Sequence, residues 1–448
     1  MSNESSESEY SDIHSIHSDE EEEVQDYKKG GYHPVQLGDK FDNDRYIVCR
    51  KLGWGHFSTV WLAFDNLADR HVALKIVKSA NRYTDSALEE IKLLETVKKT
   101  NSQARGYQHV AQLLDHFWHE GPNGKHVCMT FEVLGESLLS LMKRYNYKGI
   151  PQSIVKRISK QVLEGLDYLH RECGIIHTDL KPENVLVWIP DVEEYLKKET
   201  EDIRSGKQHQ EQQEQPKSLL DGVDTSGMSK NRKKRLKKKL KKQLLANDVK
   251  EQEDQSELEN GFKQLQITKK EKVLSSSVLD FAVIEAKEKQ QDLDSVFSDI
   301  VVKIADLGNA CWTDGDYTHI IQTRQYRSPE VIIFELLTGE FLFDPRAGSK
   351  YNKDDDHLAQ ILELLRTVPK ILITGGEFSR EFFDRSGKLK HIKKLRYRRL
   401  RDVLHDTFLV PPEDADAISA FLLPMLEIDM TKRASASQML SSEWLKDV

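Results

Sequence analysis

Short apolar runs separated by glycine turns begin at Tyr46, and this pattern predicts β-strands. Leu52–Val60 has the pattern of a strand, a glycine turn and a second strand, and Val72–Lys75 that of a buried strand ending in a lysine. A helix is predicted from about Ser86 to Lys98, because apolar residues recur there at helical spacing. Another buried strand is predicted over Val127–Gly135. We therefore expect this part of the chain to be β-rich, with one long helix.

Helical spacing dominates the next part of the chain. One helix face is formed by Val162, Leu163, Leu166 and Leu169. Further on, an apolar strand over Val302–Ile304 leads to Asp306 and a turn at Gly308. The pattern predicts an α+β fold, with a small β-rich lobe followed by a larger helical lobe.

The composition adds polar segments outside these lobes. With 31% charged and 38% hydrophobic residues in a chain of 448, part of the sequence is expected to stay unfolded. We expect a disordered acidic tail over residues 1–30 and an N-terminal lobe over 31–134. A first helical part over 135–190 and a second over 299–448 are separated by a disordered charged spacer insert over 191–298.

Charge, cysteines and hydropathy exclude several classes of protein. The net charge of −8 argues against general nucleic-acid binding but allows basic partners. The four scattered cysteines, without a Cys-x-x-Cys pair, fit a reducing compartment and offer no metal cluster. The sequence has no apolar run of about 18 residues that would predict a membrane span. The acidic, serine-rich N-terminus is unlike a signal peptide.

Two polar stretches permit more than one interpretation. Ser15 and Ser18 lie beside Asp19–Glu23, which is typical of a solvated tail and also of a target for an acid-directed kinase. Lys230–Lys242 is strongly basic and includes leucines at a spacing of four. It could form a basic amphipathic helix, a nuclear-import signal, an anchoring element or a solvated helix without function.

The most specific motif is the octapeptide His177–Asn184. Asp179, Lys181 and Asn184 have the spacing of the catalytic loop of protein kinases. Phosphoryl transfer requires mainly positioning and charge stabilisation from the protein. We expect Asp179 to accept the proton of a substrate hydroxyl, Lys181 to stabilise the transferred group and Asn184 to bind magnesium. The alternative interpretation of this stretch alone is a charged surface turn.

A glycine loop and a strand lysine predict a nucleotide site. Gly53 and Gly55 allow backbone amides to approach phosphates, although Ser58 replaces the third glycine of the kinase pattern. The loop alone could be a plain hairpin. Lys75 is expected to bind the α- and β-phosphates and to pair with Glu90, unless Glu90 lies on a solvated helix face. The expected ATP-binding residues of this region are Leu52, Gly53, Trp54, Gly55, His56, Phe57, Ser58, Thr59, Val60, Ala73, Lys75 and Glu90.

The remaining ATP and metal contacts are expected at a hinge and at a glycine turn. Phe131 is expected behind the adenine, and Glu132 and Leu134 are expected to offer it backbone hydrogen bonds, unless this stretch is a simple core strand. Asp306 is expected to chelate magnesium across the phosphates, with Leu307 in place of the usual phenylalanine.

Among protein kinases, the chain most resembles the SR-protein kinases, and four stretches carry this resemblance. These enzymes phosphorylate serines in the arginine–serine repeats of splicing factors. The four stretches are Gly30–Val35, Gly53–Trp61, Ala305–Trp312 and Gln322–Ser328. The resemblance covers about residues 30–190 and 299–448. It implies a bilobal protein-kinase fold, ATP and Mg²⁺ as cofactors, Arg-Ser-rich splicing factors as substrates and regulation of mRNA splicing. The insert resembles the spacer of this family, which implies cytoplasmic and nuclear locations. We expect a monomer that binds neither membranes nor, directly, nucleic acid.

Acidic residues in the second helical part fit such a substrate, since guanidinium groups pair well with carboxylates. Glu340, Asp356 and Glu363 fall where the family has its acidic docking groove. Asp356 and Glu363 are seven residues apart and would share a face if this stretch is helical. An acidic surface patch without function is the alternative interpretation.

Two further expectations concern the activation segment. Thr178 stands where many kinases have an arginine that binds a phosphorylated activation loop, so activity is expected without that phosphorylation. Glu330 is expected to form a structural ion pair with Arg433, unless it is only a surface glutamate.

The chain departs from the family pattern after Glu330. A stretch of about 17 residues is absent between the Ser-Pro-Glu motif and Phe334, and in the family it includes most of the central helix of the C-terminal lobe. Losing large buried side chains would cost about 1.5–3 kcal/mol each. The alternative to a kinase is therefore a catalytically impaired pseudokinase or scaffold that docks Arg-rich partners. An RNA-binding protein is a third, remote class, because the basic run lacks an aromatic stacking platform.

Overall fold

The computed structural model describes residues 22–197, 293–315 and 329–448, and the structural statements that follow concern these ranges. The predictions for Ser15, Ser18, Lys230–Lys242 and Gln322–Ser328 lie outside them. Among the helices of these ranges, none combines the length and the apolarity needed to cross a bilayer.

A six-stranded antiparallel sheet forms the N-terminal lobe. Its strands in chain order are β1 (Lys40–Phe41), β2 (Tyr46–Gly55), β3 (Ser58–Asp65), β4 (Arg70–Val77), β5 (Leu113–Gly121) and β6 (Gly124–Phe131). Neighbouring strands follow the order β1-β2-β3-β4-β6-β5, so β4 lies inside the sheet between β3 and β6. The core of this lobe consists of Phe41, Tyr46, Val48, Trp61, Ala63, Val72, Leu74, Ile76 and Cys128.

The long helix predicted for this lobe is α1 (Asn81–Lys99), which begins earlier than the predicted start at Ser86. Its buried face includes Ile91 and Leu94, as the apolar spacing predicted, and also Glu90. A glutamate on a buried helix face requires a charged partner. The helix therefore brings an acid into contact with the sheet.

Helices and two short ribbons form the C-terminal lobe. The helices are α2 (Leu138–Arg144), α3 (Gln152–Asp167), α4 (Leu293–Val296), α5 (Pro329–Thr338), α6 (Lys353–Leu365), α7 (Lys370–Gly375), α8 (Ser379–Phe382), α9 (Leu400–Phe408), α10 (Pro412–Leu422) and α11 (Ala436–Met439). One ribbon pairs β7 (Ile175–Ile176) with β10 (Cys311–Trp312), and the other pairs β8 (Val185–Trp188) with β9 (Val301–Ile304).

Short helical turns of other types occur in both lobes. The 3₁₀ turns cover Val24–Asp26, Arg105–His109, Pro182–Asn184 and Glu443–Leu445, and a π-helical turn covers Tyr168–Glu172.

The helix face predicted before the catalytic loop is confirmed. Val162, Leu163 and Leu166 are buried on α3, and Leu169 is buried in the π-helical turn that follows. This turn leads directly into β7, so the buried face of α3 fixes where the catalytic loop starts.

The chain from Pro329 of the Ser-Pro-Glu motif onwards forms a buried helix, α5. Its apolar residues Val331, Ile332, Ile333, Phe334 and Leu336 are at most 3% exposed. A helix that is apolar on all sides belongs in a core. The lobe thus has a buried apolar helix of ten residues at this point in the chain.

The predicted ion pair between Glu330 and Arg433 is wrong. Glu330 lies fully buried in the first turn of α5. Arg433 is exposed, and its Nε donates to the carbonyl oxygen of Glu427 at 2.7 Å. An exposed guanidinium that is bound to its own loop does not reach a carboxylate in the core.

The ends of the predicted tail and spacer are folded, so their boundaries differ from the prediction. Glu22 is buried and forms an ion pair with Lys51, which ties the end of the acidic tail to the sheet. Residues 192–197 are helical, and Leu196 in that turn is buried, as is Phe297 after α4. Composition alone did not show these boundaries, because each segment is mostly polar and only a few of its residues find partners in the fold.

Candidate active site

The glycine loop is the tight connection between β2 and β3. Gly55 pairs with Ser58 across a two-residue turn, whose Phe57 is exposed. The hydroxyl of Tyr32 donates to the carbonyl oxygen of Gly55 at 2.7 Å and thereby anchors the end of β2. Tyr32 is itself buried beneath the ammonium group of Lys78, 4.1 Å from its ring centre. The loop is thus open at its tip and held at its base.

Lys75 lies at the centre of the site. Its position on β4, opposite Val60 of the glycine-loop strand, follows from the antiparallel register. Its Nζ donates to Glu90 at 2.7 and 2.9 Å and to Asp306 Oδ1 at 3.3 Å. The predicted pairing of Lys75 with Glu90 is confirmed. A third residue, Asp306, joins the pair from a segment that lies more than two hundred positions away in the sequence.

The charged groups of Lys75, Glu90 and Asp306 shift one another's pKa values. Burial by itself would lower the pKa of Lys75, but the attraction of Glu90 and Asp306 outweighs it and raises that pKa. The ammonium of Lys75 holds the pKa of Asp306 below its usual range, against the opposing effect of burial. At neutral pH, Asp306 is therefore a carboxylate and Lys75 a cation.

The catalytic loop is joined to the Asp306 segment through His177. This buried ring donates from Nε2 to the carbonyl oxygen of Ala305 at 3.0 Å, and its Nδ1 accepts from the backbone N–H of Asp179 at 3.2 Å. Burial lowers the pKa of His177, which agrees with a neutral ring that donates on one side and accepts on the other. The imidazole thus fixes the spacing between the backbones that carry Asp179 and Asp306.

The three predicted catalytic and metal residues of the octapeptide are in contact. Lys181 Nζ lies 2.8 Å from Asp179 Oδ2. Asn184 donates from Nδ2 to the backbone carbonyl of Asp179 at 2.8 Å. The backbone carbonyl of Asn184 in turn accepts from the N–H of Ala305 at 2.8 Å, next to Asp306.

The donor set of the site fits a magnesium ion. Since the amide nitrogen of Asn184 is used by Asp179, its Oδ1 is the oxygen that can bind a cation. The pairing of Val185 with Ile304 places Asn184 and Asp306 at the same end of the β8–β9 ribbon. Carboxylate and amide oxygens are the ligands that magnesium prefers. Asn184 and Asp306 would hold the ion, which would supply positive charge for the phosphate oxygens of a nucleotide.

Two residues of the site adopt left-handed backbone conformations. Thr178 has φ 61° and Asp306 has φ 62°, which is uncommon for residues other than glycine. Thr178 is held by a 2.5 Å hydrogen bond from its hydroxyl to the carbonyl of Asn309, and Asp306 by Lys75. Such strain persists only where surrounding contacts over-determine the conformation, and it concentrates at functional sites.

The hinge residues follow β6 as the sequence predicted. Phe131 ends the strand and pairs with Ala73 of β4, the strand that also carries Lys75. The carboxylate of Glu132 accepts two hydrogen bonds from Lys303 of β9, at 2.8 and 2.7 Å. Leu134 is partly exposed in the segment that leads to α2. Whether the backbones of Glu132 and Leu134 bind adenine stays a prediction.

Asp356 and Glu363 lie on one helix, α6, as their spacing predicted. Each carboxylate is oriented by one backbone N–H: that of Arg346 for Asp356 at 2.9 Å, and that of Arg396 for Glu363 at 2.8 Å. Glu340 is exposed on the loop between α5 and α6. The side chain of Gln360 also donates to Asp356 at 2.8 Å. Among the described residues neither carboxylate forms a salt bridge, so both remain suited to bind arginines.

Sequence reasoning missed three residues that organise the site. They are Tyr32, His177 as a bridge, and Lys303. Lys303 left a signal, because a lysine within an otherwise apolar strand requires an acidic partner. His177 left none, since its contacts depend on how two distant segments meet.

The comparisons with known proteins agree with this geometry. The family description "Protein kinase domain" matches residues 46–197. The chain is 44% identical to Protein kinase dsk1 of Schizosaccharomyces pombe, over 96% of its own length and 85% of that protein. It is 41% identical to Serine/threonine-protein kinase SRPK of Physarum polycephalum, over 96% and 92%. It is 38% identical to SRSF protein kinase 3 of Homo sapiens, over 95% and 90%.

Proposed function

The chain belongs to the SR-protein kinase family and is a serine/threonine protein kinase, and from this premise we propose that it transfers the γ-phosphoryl group of ATP to serines of Arg-Ser-rich splicing factors. The observation that carries the proposal is the junction of Lys75, Glu90 and Asp306 beside Asp179. This arrangement holds one cation, Lys75, and three acids where nucleotide, metal and hydroxyl would meet.

In the proposed reaction, each residue of this chain has a separate task. Asp179 accepts the proton of the incoming serine hydroxyl, and Lys181 beside it stabilises charge on the transferred group. Lys75 binds phosphate oxygens from the side of the sheet. Asn184 and Asp306 hold magnesium, which supplies positive charge to the phosphates.

The substrate class follows from charge and from the relatives. Human SRSF protein kinase 3 is named for a substrate of this class. The carboxylates of Asp356 and Glu363 on α6, with Glu340 nearby in the sequence, would bind arginines away from the reacting serine. Alternating Arg-Ser sequences can present many guanidinium groups to such a surface. Through these substrates, the enzyme would regulate mRNA splicing. We also propose that it acts as a monomer.

The scaffold alternative is not favoured. Lys75, Asp179, Asn184 and Asp306 are present and in contact with their partners. The helix α5, which spans the position where the resemblance implies an absent stretch, is buried as a core helix would be. We propose locations in cytoplasm and nucleus, with the part of the insert between residues 197 and 293 controlling the distribution. A fluorescent fusion that distributes identically with and without the insert would oppose this.

The substrate proposal is tested with matched peptides. Purified full-length protein, Mg²⁺ and labelled ATP are incubated with an Arg-Ser repeat, a Lys-Ser repeat of equal charge, and a Gly-Ser repeat. Since arginine binds carboxylates in a bidentate manner, the Arg-Ser repeat should have the highest kcat/KM. Equal phosphorylation of all three peptides would contradict the proposed substrate class while leaving kinase activity itself established.

A further inference from the structure

A lysine lies inside the apolar strand that leads to Asp306. Lys303 is the third residue of β9, between Val302 and Ile304, which are both buried. Its own residue surface is only 9% exposed. An ammonium group in this environment requires a partner to remain charged.

The partner of Lys303 is the hinge. Its Nζ donates to both carboxylate oxygens of Glu132, at 2.8 and 2.7 Å. The backbone N–H of Gln112 donates to the same carboxylate at 3.1 Å. Glu132 is the first residue after β6, so these bonds act on the backbone between Phe131 and Leu134.

The same strand is tied to the N-terminal lobe by its backbone. Ile304 accepts from the N–H of Ala111 at 2.8 Å and forms a parallel bridge with Val110. The side chain of Gln112 donates to the carbonyl of Val110 at 2.9 Å. The hinge, β9 and the segment before β5 are therefore connected. The Lys303–Glu132 ion pair joins the hinge to β9, and the Gln112 N–H joins it to the segment before β5.

We propose that Lys303 is a positioning residue that, through Glu132, holds the hinge backbone at one distance from β9 and so sets both the affinity for ATP and its selection over GTP. This inference rests on the proposed function. The adenine edge offers a donor at N6 and an acceptor at N1, whereas guanine offers an acceptor and a donor at the corresponding positions. A fixed hinge presents one pattern of N–H and C=O groups, and it leaves buried polar groups unpaired when the wrong base enters.

A hinge without this bond would sample several positions. ATP would then have to immobilise the hinge on binding, which weakens its affinity. GTP would be penalised less, because a mobile backbone can turn different groups towards the base. A purely structural ion pair would change neither the nucleotide KM nor the choice of nucleotide, and it would affect only the temperature of unfolding.

The test compares Lys303→Met, which removes the charge and keeps the length of the side chain, with Lys303→Arg, which keeps the charge. Arg45→Met is the matched control, because Arg45 forms an ion pair with buried Asp65 at the end of β2 and β3 that lies opposite the glycine loop. For each protein, KM and kcat are measured for ATP, GTP and an Arg-Ser peptide. Binding of a non-hydrolysable ATP analogue is measured by calorimetry. The unfolding temperature of each protein is also measured.

Lys303→Met should raise the KM and the dissociation constant for ATP about five- to tenfold, with a smaller change in kcat and in the KM for peptide. The ratio of kcat/KM for ATP over GTP should fall. Lys303→Arg should retain most of the affinity for ATP and most of the preference for ATP over GTP. Arg45→Met should lower only the unfolding temperature. If Lys303→Met does not fold, Glu132→Gln replaces it, since glutamine can still accept from Gln112 but carries no charge.

The inference is overturned if the variant binds ATP as the wild type does, or if Arg45→Met shifts the ATP affinity equally. Failure of the proposed function has a different signature. In that case, the wild-type protein would phosphorylate no Arg-Ser peptide, whatever the nucleotide affinities of the variants.

Discussion

Lys75 Nζ lies 2.7 Å from Glu90 Oε1, so helix α1 is docked on the sheet by a charge pair at the nucleotide site. The lysine side chain is 13% exposed and the glutamate side chain 4%. In water such a pair contributes little, but here neither charge can be solvated if the other is removed. The position of α1 and the position of the phosphate-binding lysine are therefore linked.

Removing Lys75 alone should cost both activity and stability. Lys75→Met leaves Glu90 buried without its cation, and breaking a buried pair in this way typically costs about 3–5 kcal/mol. Phosphorylation of an Arg-Ser peptide should be lost, and the unfolding temperature should fall. The double variant Lys75→Met/Glu90→Leu should recover much of the stability and none of the activity. A single variant as stable as the wild type would show that the pair is solvated.

Activity should not require phosphorylation of the activation segment. Thr178 occupies the position before Asp179, and its hydroxyl is bonded to the carbonyl of Asn309, so this position offers no cation for a phosphate. Phosphatase-treated protein, with the phosphatase removed, should keep its kcat for an Arg-Ser peptide. Mass spectrometry would verify the absence of phosphate. A complete loss of activity, restored by rephosphorylation, would refute the prediction.

The carboxylates of α6 should contribute to peptide affinity through their charge. Asp356→Asn and Glu363→Gln keep an acceptor for the backbone N–H groups of Arg346 and Arg396 and remove only the charge. With about 0.2–1 kcal/mol per exposed pair, the double variant should raise the KM for a long Arg-Ser peptide about fivefold at low salt. Glu381→Gln, a substitution of an exposed acid on α8, serves as the control. Equal peptide KM values at low salt would exclude docking by these acids.

The N-terminal lobe should lose stability in mild acid because of His33. This residue is buried against His119 and His126, at ring-centre distances of 4.5 and 5.1 Å. Burial, aided by the neighbouring imidazoles, lowers the pKa of His33 to about 4 from its ordinary 6.5. The unfolded chain therefore binds a proton that the folded chain does not, so the stability present above pH 6.5 is lost as the pH falls towards 4.

Replacing His33 should flatten this dependence. The unfolding temperature of His33→Gln should change less than that of the wild type between about pH 7.5 and about pH 5. His116→Gln removes an exposed imidazole of the same lobe and should behave like the wild type. Parallel curves for wild type and His33→Gln would locate the acid sensitivity elsewhere.

Local patterns predicted the elements and the motif residues, because each depends on neighbours in the sequence. The strand of Lys75 and the buried face of α3 follow from spacing alone, whereas the spacing of Asp356 and Glu363 gave a shared face only if their stretch was helical, as the structure shows. The pairing of Lys75 with Glu90 was expected because a lysine at the end of a buried strand requires an acidic partner, and the kinase motif supports the same pairing.

Long-range contacts were the part that the sequence did not reveal. The ion pair expected between Glu330 and Arg433 is wrong, because α5 buries the glutamate while the arginine stays on an exposed loop. The bridge formed by His177 and the bond from Lys303 to Glu132 depend on how β9 meets the catalytic loop and the hinge. Such contacts join segments that no local periodicity relates.

The most direct test of the account is phosphoryl transfer by the full-length chain with Asp179 and Asp306 changed singly. Wild type, Asp179→Asn and Asp306→Asn are incubated with Mg²⁺, labelled ATP and an Arg-Ser peptide, and phosphoserine is identified by mass spectrometry. We predict serine phosphorylation by the wild type, its loss in both variants, and Mg²⁺-dependent ATP binding that survives in Asp179→Asn but weakens in Asp306→Asn. A folded wild-type protein that binds ATP and transfers no phosphate, or an Asp179→Asn variant with undiminished activity, would contradict it.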